Sequence, residues 1–347
     1  MDNAIGKKCE IWLKKVQRKN MISPLSIILF FISQFYRLAI EVRNFFYDKK
    51  LFPIATVDIP VISVGNIVAG GVGKTSFISL LTNDLSEKVG ILSRGYRAEV
   101  KLKSQIVKNV AEGDEAFMLS KRHQNAVVIV GKNRIQSASL AIEKGAKCIL
   151  LDDGMQHRKI FRDVEIVVLH ADNIFGFGQF LPKGMLRDSP KRLKKADWII
   201  LHGVKNEGHF QQLKKQIKLF TSAPIMGTKY VIENGEKIKK ETIGAFCAIG
   251  SPETFYQMLE EMGCTIVDRK TLPDHQAFNE ALRFVKECKE KGANKIICTE
   301  KDYIKLKDLK DIIPLKVRME VQFGLHHYQN LLSQIRSLIT SNKEEYL

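Results

Sequence analysis

The sequence holds six cysteines in 347 residues, and no two of them form a C-x-x-C pair. Cys9, Cys148, Cys247, Cys264, Cys288 and Cys298 are scattered, several inside apolar runs where a reduced thiol behaves as a small hydrophobe. That argues against a structural zinc and for a reducing compartment. Nine prolines and 23 glycines beside 45% hydrophobic residues exclude a disordered or low-complexity chain. Acidic residues are short: 38 Asp and Glu face 55 Lys and Arg, a formal net charge of +17. Such a balance favours polyanionic partners, whether nucleic acid, anionic lipid or phosphorylated substrates. For nucleic acid there is no recognition motif and no aromatic-studded basic strand. Internal repeats and linker-like stretches are also missing. At roughly 150 residues per domain, the length allows about two domains with a substantial core.

Only one segment combines density of apolar residues with absence of charge. Between Met21 and Tyr36 no charged residue occurs, and Ile27, Ile28, Leu29, Phe30, Phe31 and Ile32 follow a basic stretch with Lys14, Lys15, Arg18 and Lys19. The block is short for a bilayer span, which needs about 20 apolar residues. No small-residue cleavage site follows before Arg37, Glu41 and Arg43, which argues against a signal peptide. The pattern predicts a helix lying in the membrane interface, with basic side chains on anionic headgroups and Phe and Ile in the acyl boundary. A helix capping the domain core and a single spanning helix are the alternatives.

From residue 60 onward, short runs that are apolar on both faces alternate with helical stretches. They are Val61 to Val64, Ile91 to Ser93, Val127 to Val130, Cys148 to Leu151, Ile166 to Leu169 and Trp198 to Leu201. This predicts an α/β protein with a doubly wound parallel sheet. Near residue 225 the texture changes, and Tyr230 to Lys237 reads as a hairpin around Asn234-Gly235. Ala245 to Ile249 and Ile296 to Cys298 then offer buried strands of a smaller, second α/β domain. The expected organisation is a membrane-associated helical segment at 1–50, a nucleotide-binding domain at 51–225 and a C-terminal domain at 226–347.

Directly after the first strand comes Gly65-Asn66-Ile67-Val68-Ala69-Gly70-Gly71-Val72-Gly73-Lys74-Thr75-Ser76, followed by a helical pattern through Phe77, Leu80 and Leu81. Strand, glycine loop, Gly-Lys-Thr and helix is the setting of a P-loop. Backbone N–H groups of Val68 to Thr75 and the helix dipole would cradle phosphate, Lys74 would reach the β- and γ-phosphates, and Thr75 would place a hydroxyl on Mg²⁺. The strict motif wants glycine where this chain has Val68. A P-loop also requires acid at the end of a neighbouring strand, and Asp152-Asp153-Gly154 supplies it after Cys148 to Leu151.

With these pieces in order the sequence resembles the tetraacyldisaccharide 4′-kinase family, lipid kinases of lipid A synthesis, from about residue 22 to about residue 325. The resemblance rests on Val64-Gly65-Asn66 leading into Gly70 to Thr75, on Leu92 to Tyr96, Gly113-Asp114-Glu115, Gly131 to Arg134 and Asp152 to His157. It continues through Gly176-Phe177-Gly178, Leu181-Pro182, Leu186-Arg187, Asp274-His275 and Thr299-Glu300-Lys301-Asp302. In that family a P-loop lacking the first glycine is normal. The resemblance implies transfer of the γ-phosphoryl of ATP to the 4′-hydroxyl of a tetraacylated glucosamine disaccharide 1-phosphate, at the cytoplasmic face of the bacterial inner membrane, by a monomeric peripheral or monotopic enzyme. It implies Asp114 as general base, His275 as its dyad partner, and Asp152 and Asp153 with Thr75 at Mg²⁺. Gln156 and His157 line the site, and Arg94, Arg134 and Arg187 neutralise triphosphate or the lipid 1-phosphate.

The chain departs from the family pattern at Lys183 and Met185, commonly Ala and Pro, at Asp188, commonly Glu, and at Met155, commonly Phe or Leu. These changes bear on the acceptor side, not on phosphoryl transfer. The competing reading is a regulatory ATPase controlling a protein partner, of the kind that carries a Gly-Gly-Val-Gly-Lys-Thr loop. Those proteins carry a signature Lys where this chain has Ala69, and no Asn-Lys-x-Asp sequence supports GTP.

Overall fold

In the computed structural model, residues 24–95, 104–249, 252–272, 277–306 and 311–344 are described. In chain order the elements are α1 (Pro24–Asp48), β1 (Val61–Gly65), α2 (Lys74–Asp84), β2 (Val89–Ser93), β3 (Gln105–Ile106), α3 (Asp114–Arg122), β4 (Val127–Val130), α4 (Arg134–Glu143), β5 (Cys148–Asp152), β6 (Val164–His170) and β7 (Trp198–His202). They continue with α5 (Glu207–Ile217), β8 (Ile225–Ile232), β9 (Thr242–Cys247), α6 (Pro252–Glu261), β10 (Thr265–Thr271), α7 (Ala277–Glu290), β11 (Lys295–Thr299), α8 (Glu300–Tyr303), β12 (Ile312–Leu315), β13 (Val317–Phe323) and α9 (Leu325–Glu344). Every apolar run expected as a strand contains one, although the run expected at Ala245 to Ile249 leaves the strand after Cys247, and the class is α/β.

The chain forms two compact units, each discontinuous in sequence: the described parts of 1–74, 148–229 and 321–347, and those of 75–147 and 230–320. In the first, five parallel strands run in the order β8-β7-β6-β1-β5. Strands β1, β5 and β7 are buried at every position, which explains why they read as continuous apolar runs with no alternation. Ile67, Val167, Leu169, Ile199, Leu201, Phe210, Leu213 and Ile217 pack into one core beside them.

In the second unit β2 and β4 pair in parallel, with the short β3 antiparallel to β4. Four further parallel strands run in the order β10-β9-β11-β12. Successive residues of β9 and β11 feed opposite faces. Ile243, Ala245, Cys247 and Ile297 meet Phe255, Tyr256 and Leu259 of α6, whereas Phe246, Ile296 and Cys298 meet Ala281, Phe284 and Cys288 of α7. The five cysteines among the described residues are buried and unbridged. Burial pushes the thiols of Cys247, Cys264, Cys288 and Cys298 up, which keeps them inert.

The expected hairpin at Tyr230 to Lys237 is not formed. Strand β8 ends at Ile232 and Gly235 to Lys237 make a 3₁₀ turn, with Asn234 at φ −117° and not in the left-handed conformation a tight hairpin needs. The Asn234 amide is spent elsewhere: its Nδ2 donates to Pro314 O at 2.8 Å and its Oδ1 accepts from Lys316 N at 2.9 Å. Asn-Gly here clamps a neighbouring chain segment instead of reversing its own.

Helix α1 runs from Pro24, the first described residue, to Asp48. Leu29, Ser33, Asn44 and Tyr47 form its buried face. On the opposite face Ile28, Phe31, Phe35, Leu38, Val42 and Phe45 are all exposed, Phe35 by 73%. Their spacing of three and four residues makes a continuous apolar seam along the helix. α1 is long and apolar enough to cross a membrane by length and composition, with only 6% of its most apolar window buried. Asn44 Nδ2 donates to Asp188 Oδ1 at 2.9 Å, and Arg158 donates to Asn44 O and to Asp48. These bonds seat the C-terminal half of α1 on its own unit.

Candidate functional site

The loop after β1 owes its shape to two glycines and one asparagine. Gly70 and Gly73 lie at φ +111° and +93°, left-handed conformations that a Cβ would strain. Asn66 is fully buried; its Nδ2 donates to Val68 O and its Oδ1 accepts from Arg187. Ala69 N–H donates to Met185 O at 2.7 Å, Val68 bridges Leu186, and Arg187 N–H donates to Ile67 O at 2.8 Å. The Leu186-Arg187 motif therefore braces the loop from its own unit, and the Val68 and Ala69 backbone groups are taken up in that brace. Gly65 fixes the distance to the next strand's turn, because a Cβ there would sit 2.3 Å from Met155 Cβ and 2.8 Å from Met155 N.

Strand β5 runs parallel to β1 with Asp152 opposite Val64, so the acidic pair ends beside the start of the loop. Asp152 is buried. Asp153 takes φ +57°, a conformation that costs a non-glycine residue about 1 kcal/mol and that Asp tolerates better than most. Its carboxylate is held there from two sides. Arg187 reaches it with both terminal nitrogens, at 2.8 and 2.7 Å, and Lys74 Nζ lies 3.3 Å away. Burial alone would raise the Asp153 carboxyl; the Arg187 hydrogen bonds and the Lys74 charge outweigh it and hold the group well below the usual carboxylate range. Gln156 Nε2 donates to Asn66 O at 2.9 Å. Gln156 Oε1 and Arg187 Nε are buried with no hydrogen-bond partner among the described residues. His157 closes the same turn, its N–H donating to Gly154 O at 2.8 Å.

The residues that follow Lys74 belong to the other unit, and they meet a second acidic pair there. Gly113, at φ +122°, turns the chain into α3, whose first residues are Asp114 and Glu115. Thr75 Oγ1 donates to Glu115 Oε2 at 2.9 Å, and Glu115 Oε1 is 3.3 Å from Lys301 Nζ. Asp114 pairs with Lys305. Ser76 Oγ and the Tyr230 hydroxyl are 3.0 Å apart, and Ser79 Oγ is 2.7 Å from His123 Nε2, which ties α2 to the end of α3.

The remaining arginines differ in setting. Arg94 is exposed just after β2. Arg134 is 3% exposed at the start of α4 and donates to Gly131 O at 2.5 Å, so it shapes the Gly131–Asn133 turn. His275 lies outside the described residues. Glu115, Lys301, Lys305, Asn66 and Tyr230 are additions to the site residues read from sequence. Glu115, Lys301 and Asn66 sat inside motifs already singled out, whereas Lys305 and Tyr230 carry no local pattern.

Hard oxygen donors fit Mg²⁺, an ion that takes one or two carboxylates and completes its shell with phosphate and water; one unit offers the carboxylates of Asp152 and Asp153, and the other offers the Thr75 hydroxyl and the Glu115 carboxylate. Among the described residues no cluster of three or more His, Cys, Asp or Glu side chains could hold a metal without such help.

A family model described as tetraacyldisaccharide-1-P 4′-kinase matches residues 25–338. The tetraacyldisaccharide 4′-kinase of Syntrophus aciditrophicus is 34% identical over 364 aligned positions, covering 93% of this chain and 97% of that protein. That of Chlamydia pneumoniae is 35% identical, covering 80% and 82%. Among solved structures, LpxK from Aquifex aeolicus in complex with ATP aligns with a TM-score of 0.74 at 28% identity, over 91% of this chain and 99% of that one.

Proposed function

Because the chain belongs to the tetraacyldisaccharide-1-P 4′-kinase family, we propose that it transfers the γ-phosphoryl of ATP to the 4′-hydroxyl of a tetraacylated glucosamine disaccharide 1-phosphate in lipid A synthesis. The observation that carries the reading is the glycine loop at the end of β1, which delivers Lys74 to within 3.3 Å of Asp153 at the end of β5. A lysine held against an acidic turn at the carboxyl edge of a parallel sheet supports a nucleotide-phosphate site, and the regulatory-ATPase alternative, which shares that loop, explains none of the remaining motifs.

In this reading the loop N–H groups from Gly70 to Thr75 hold the β-phosphate, and Lys74 exchanges Asp153 for the β- and γ-phosphates. Thr75 with Asp152 and Asp153 would hold Mg²⁺, which neutralises charge on the β,γ-oxygens when bound. Asp114 takes the proton of the 4′-hydroxyl as its oxygen bonds to γ-phosphorus; the β,γ-bridging P–O bond breaks and ADP leaves with the electron pair. His275 steadies Asp114, and Gln156 and His157 border the reacting groups. Exposed Arg94 meets anionic phosphate, while Arg134 and Arg187 act through the turns they hold.

The lipid acceptor explains α1. Four acyl chains stay in the bilayer, since each buried CH₂ is worth about 0.8 kcal/mol, so the enzyme goes to the lipid. The apolar seam of α1 docks on the cytoplasmic leaflet of the inner membrane and the chain works as a peripheral or monotopic monomer. Lys183, whose Nζ sits 4.8 Å over the Phe30 ring, and Asp188, bonded to Asn44, put two chain-specific residues against this helix. In micelles containing the disaccharide lipid, Lys74→Ala is expected to lower transfer by about 10²- to 10³-fold. Asp114→Ala is expected to lower it by about 10²- to 10⁴-fold. Near-normal turnover by Asp114→Ala would remove it as the base.

A further inference from the structure

The Thr299-Glu300-Lys301-Asp302 motif has no chemistry assigned to it by phosphoryl transfer, yet Glu300, Lys301 and the nearby Lys305 each face an opposite charge on α3. Asp114 pairs with Lys305, Glu115 with Lys301, and Arg122, at the other end of the helix, with Glu300. The order is reversed along the two segments, so α8 and the residues after it run antiparallel to α3 with opposite charges facing. Arg122 adds a bond to Glu233, just after β8, and donates to Val317 O at 2.9 Å at the start of β13, which fixes that end of the helix. The motif segment is itself firmly held. Thr299 caps α8, and Asp302, 1% exposed, accepts from Ala248 N at 2.9 Å and from Thr299 Oγ1.

Two acidic side chains at consecutive positions repel one another and repel a triphosphate. Two lysines four residues apart, each aligned with one carboxylate, remove both problems while leaving the carboxylates in place. On the reading that Asp114 is the general base, we infer that Lys305 is a positioning residue for the reaction: it holds the Asp114 carboxylate in one orientation at the start of α3, with Lys301 doing the same for Glu115 and hence for the Thr75 hydroxyl. Lys305 is about four-fifths buried at its side chain and Asp114 three-quarters, so the pair is shielded enough to orient and open enough to let a substrate hydroxyl approach.

The test is steady-state kinetics of the full chain with Lys305→Gln, Lys305→Arg, Asp114→Asn and the double variant Asp114→Asn/Lys305→Gln, with thermal melts alongside. Lys305→Gln should lower kcat by about 10-fold or more with KM for ATP within about 3-fold, because the lost interaction acts on proton transfer and not on nucleotide binding. Lys305→Arg should recover most of kcat. In the Asp114→Asn background, Lys305→Gln should cost less than about 2-fold further, since its target is already gone. Wild-type kcat in Lys305→Gln, a rise in KM alone, or a loss that multiplies fully with that of Asp114→Asn overturns the inference while leaving Asp114 as base. Near-normal turnover by Asp114→Asn overturns the base and the inference together. If Lys305→Gln melts early, Lys305→Arg and the ratio of the double variant to Asp114→Asn, both read on folded protein, decide the same question.

Discussion

Single residues in this protein carry their charge states by burial. His202 at the end of β7 is 3% exposed, bonded to Thr228 at 3.1 Å and edge-on to His170, and burial pushes it down to about 3. His123 is pushed down to about 4 by burial and by the neighbouring Arg122. Both are neutral in the folded state, whereas a free imidazole takes a proton below about 6.5. The folded state therefore binds fewer protons than the unfolded state between about pH 4 and 6.5, and stability falls as the pH drops through that window. Asp153 has the opposite origin and the same sign: its carboxyl is held low by Arg187 and Lys74, so its contribution is present above the usual carboxylate value of about 4 and is lost below it. Melting temperatures taken across pH 4 to 8 should decline below about 6.5, and His202→Gln should flatten part of that decline. An unchanged slope in His202→Gln would assign the acid sensitivity elsewhere.

At the scale of elements, what was legible in the sequence is what local chemistry dictates. The all-buried strands β1, β4, β5 and β7 announce themselves because both faces demand apolar residues. The glycine loop announces itself because Gly70 and Gly73 need conformations other residues resist. Strand β10 was missed because it is half exposed, with Asp268, Arg269 and Lys270 along it, and a strand of that kind differs little from a loop in composition. The hairpin was misread because Asn234 found long-range backbone partners, a tertiary fact with no local signature. Two consequences are testable. Gly65→Ala should push the Gly154–Met155 turn off the loop, cutting transfer strongly while ATP-independent secondary structure survives; wild-type transfer would show that the two turns can slide apart. For α1, replacing Phe31, Phe35 and Leu38 with Ser should abolish flotation with anionic liposomes, since each apolar side chain left in water forgoes about 1.5–3 kcal/mol. Flotation unchanged from wild type would place the membrane contact on another surface.

For the molecule as a whole, the chain order of motifs was readable and their spatial grouping was not. Lys74 and Thr75 are adjacent in sequence, yet Lys74 is anchored on Asp153 in one unit and Thr75 on Glu115 in the other. No periodicity or motif spacing reveals that division, because it arises from which strands pair across more than 80 residues of intervening chain, as Val64 and Asp152 do. Likewise the lysines opposite Asp114 and Glu115 come from a segment about 190 residues downstream. The central claim is that these groups move a phosphoryl group onto a lipid. It is tested most directly by incubating the purified chain with γ-labelled ATP, Mg²⁺ and the tetraacyl disaccharide 1-phosphate in micelles and asking where the label goes. The account predicts label on the lipid at the 4′ position, lost in Lys74→Ala; label released only as free phosphate, at a rate indifferent to the lipid, would contradict it.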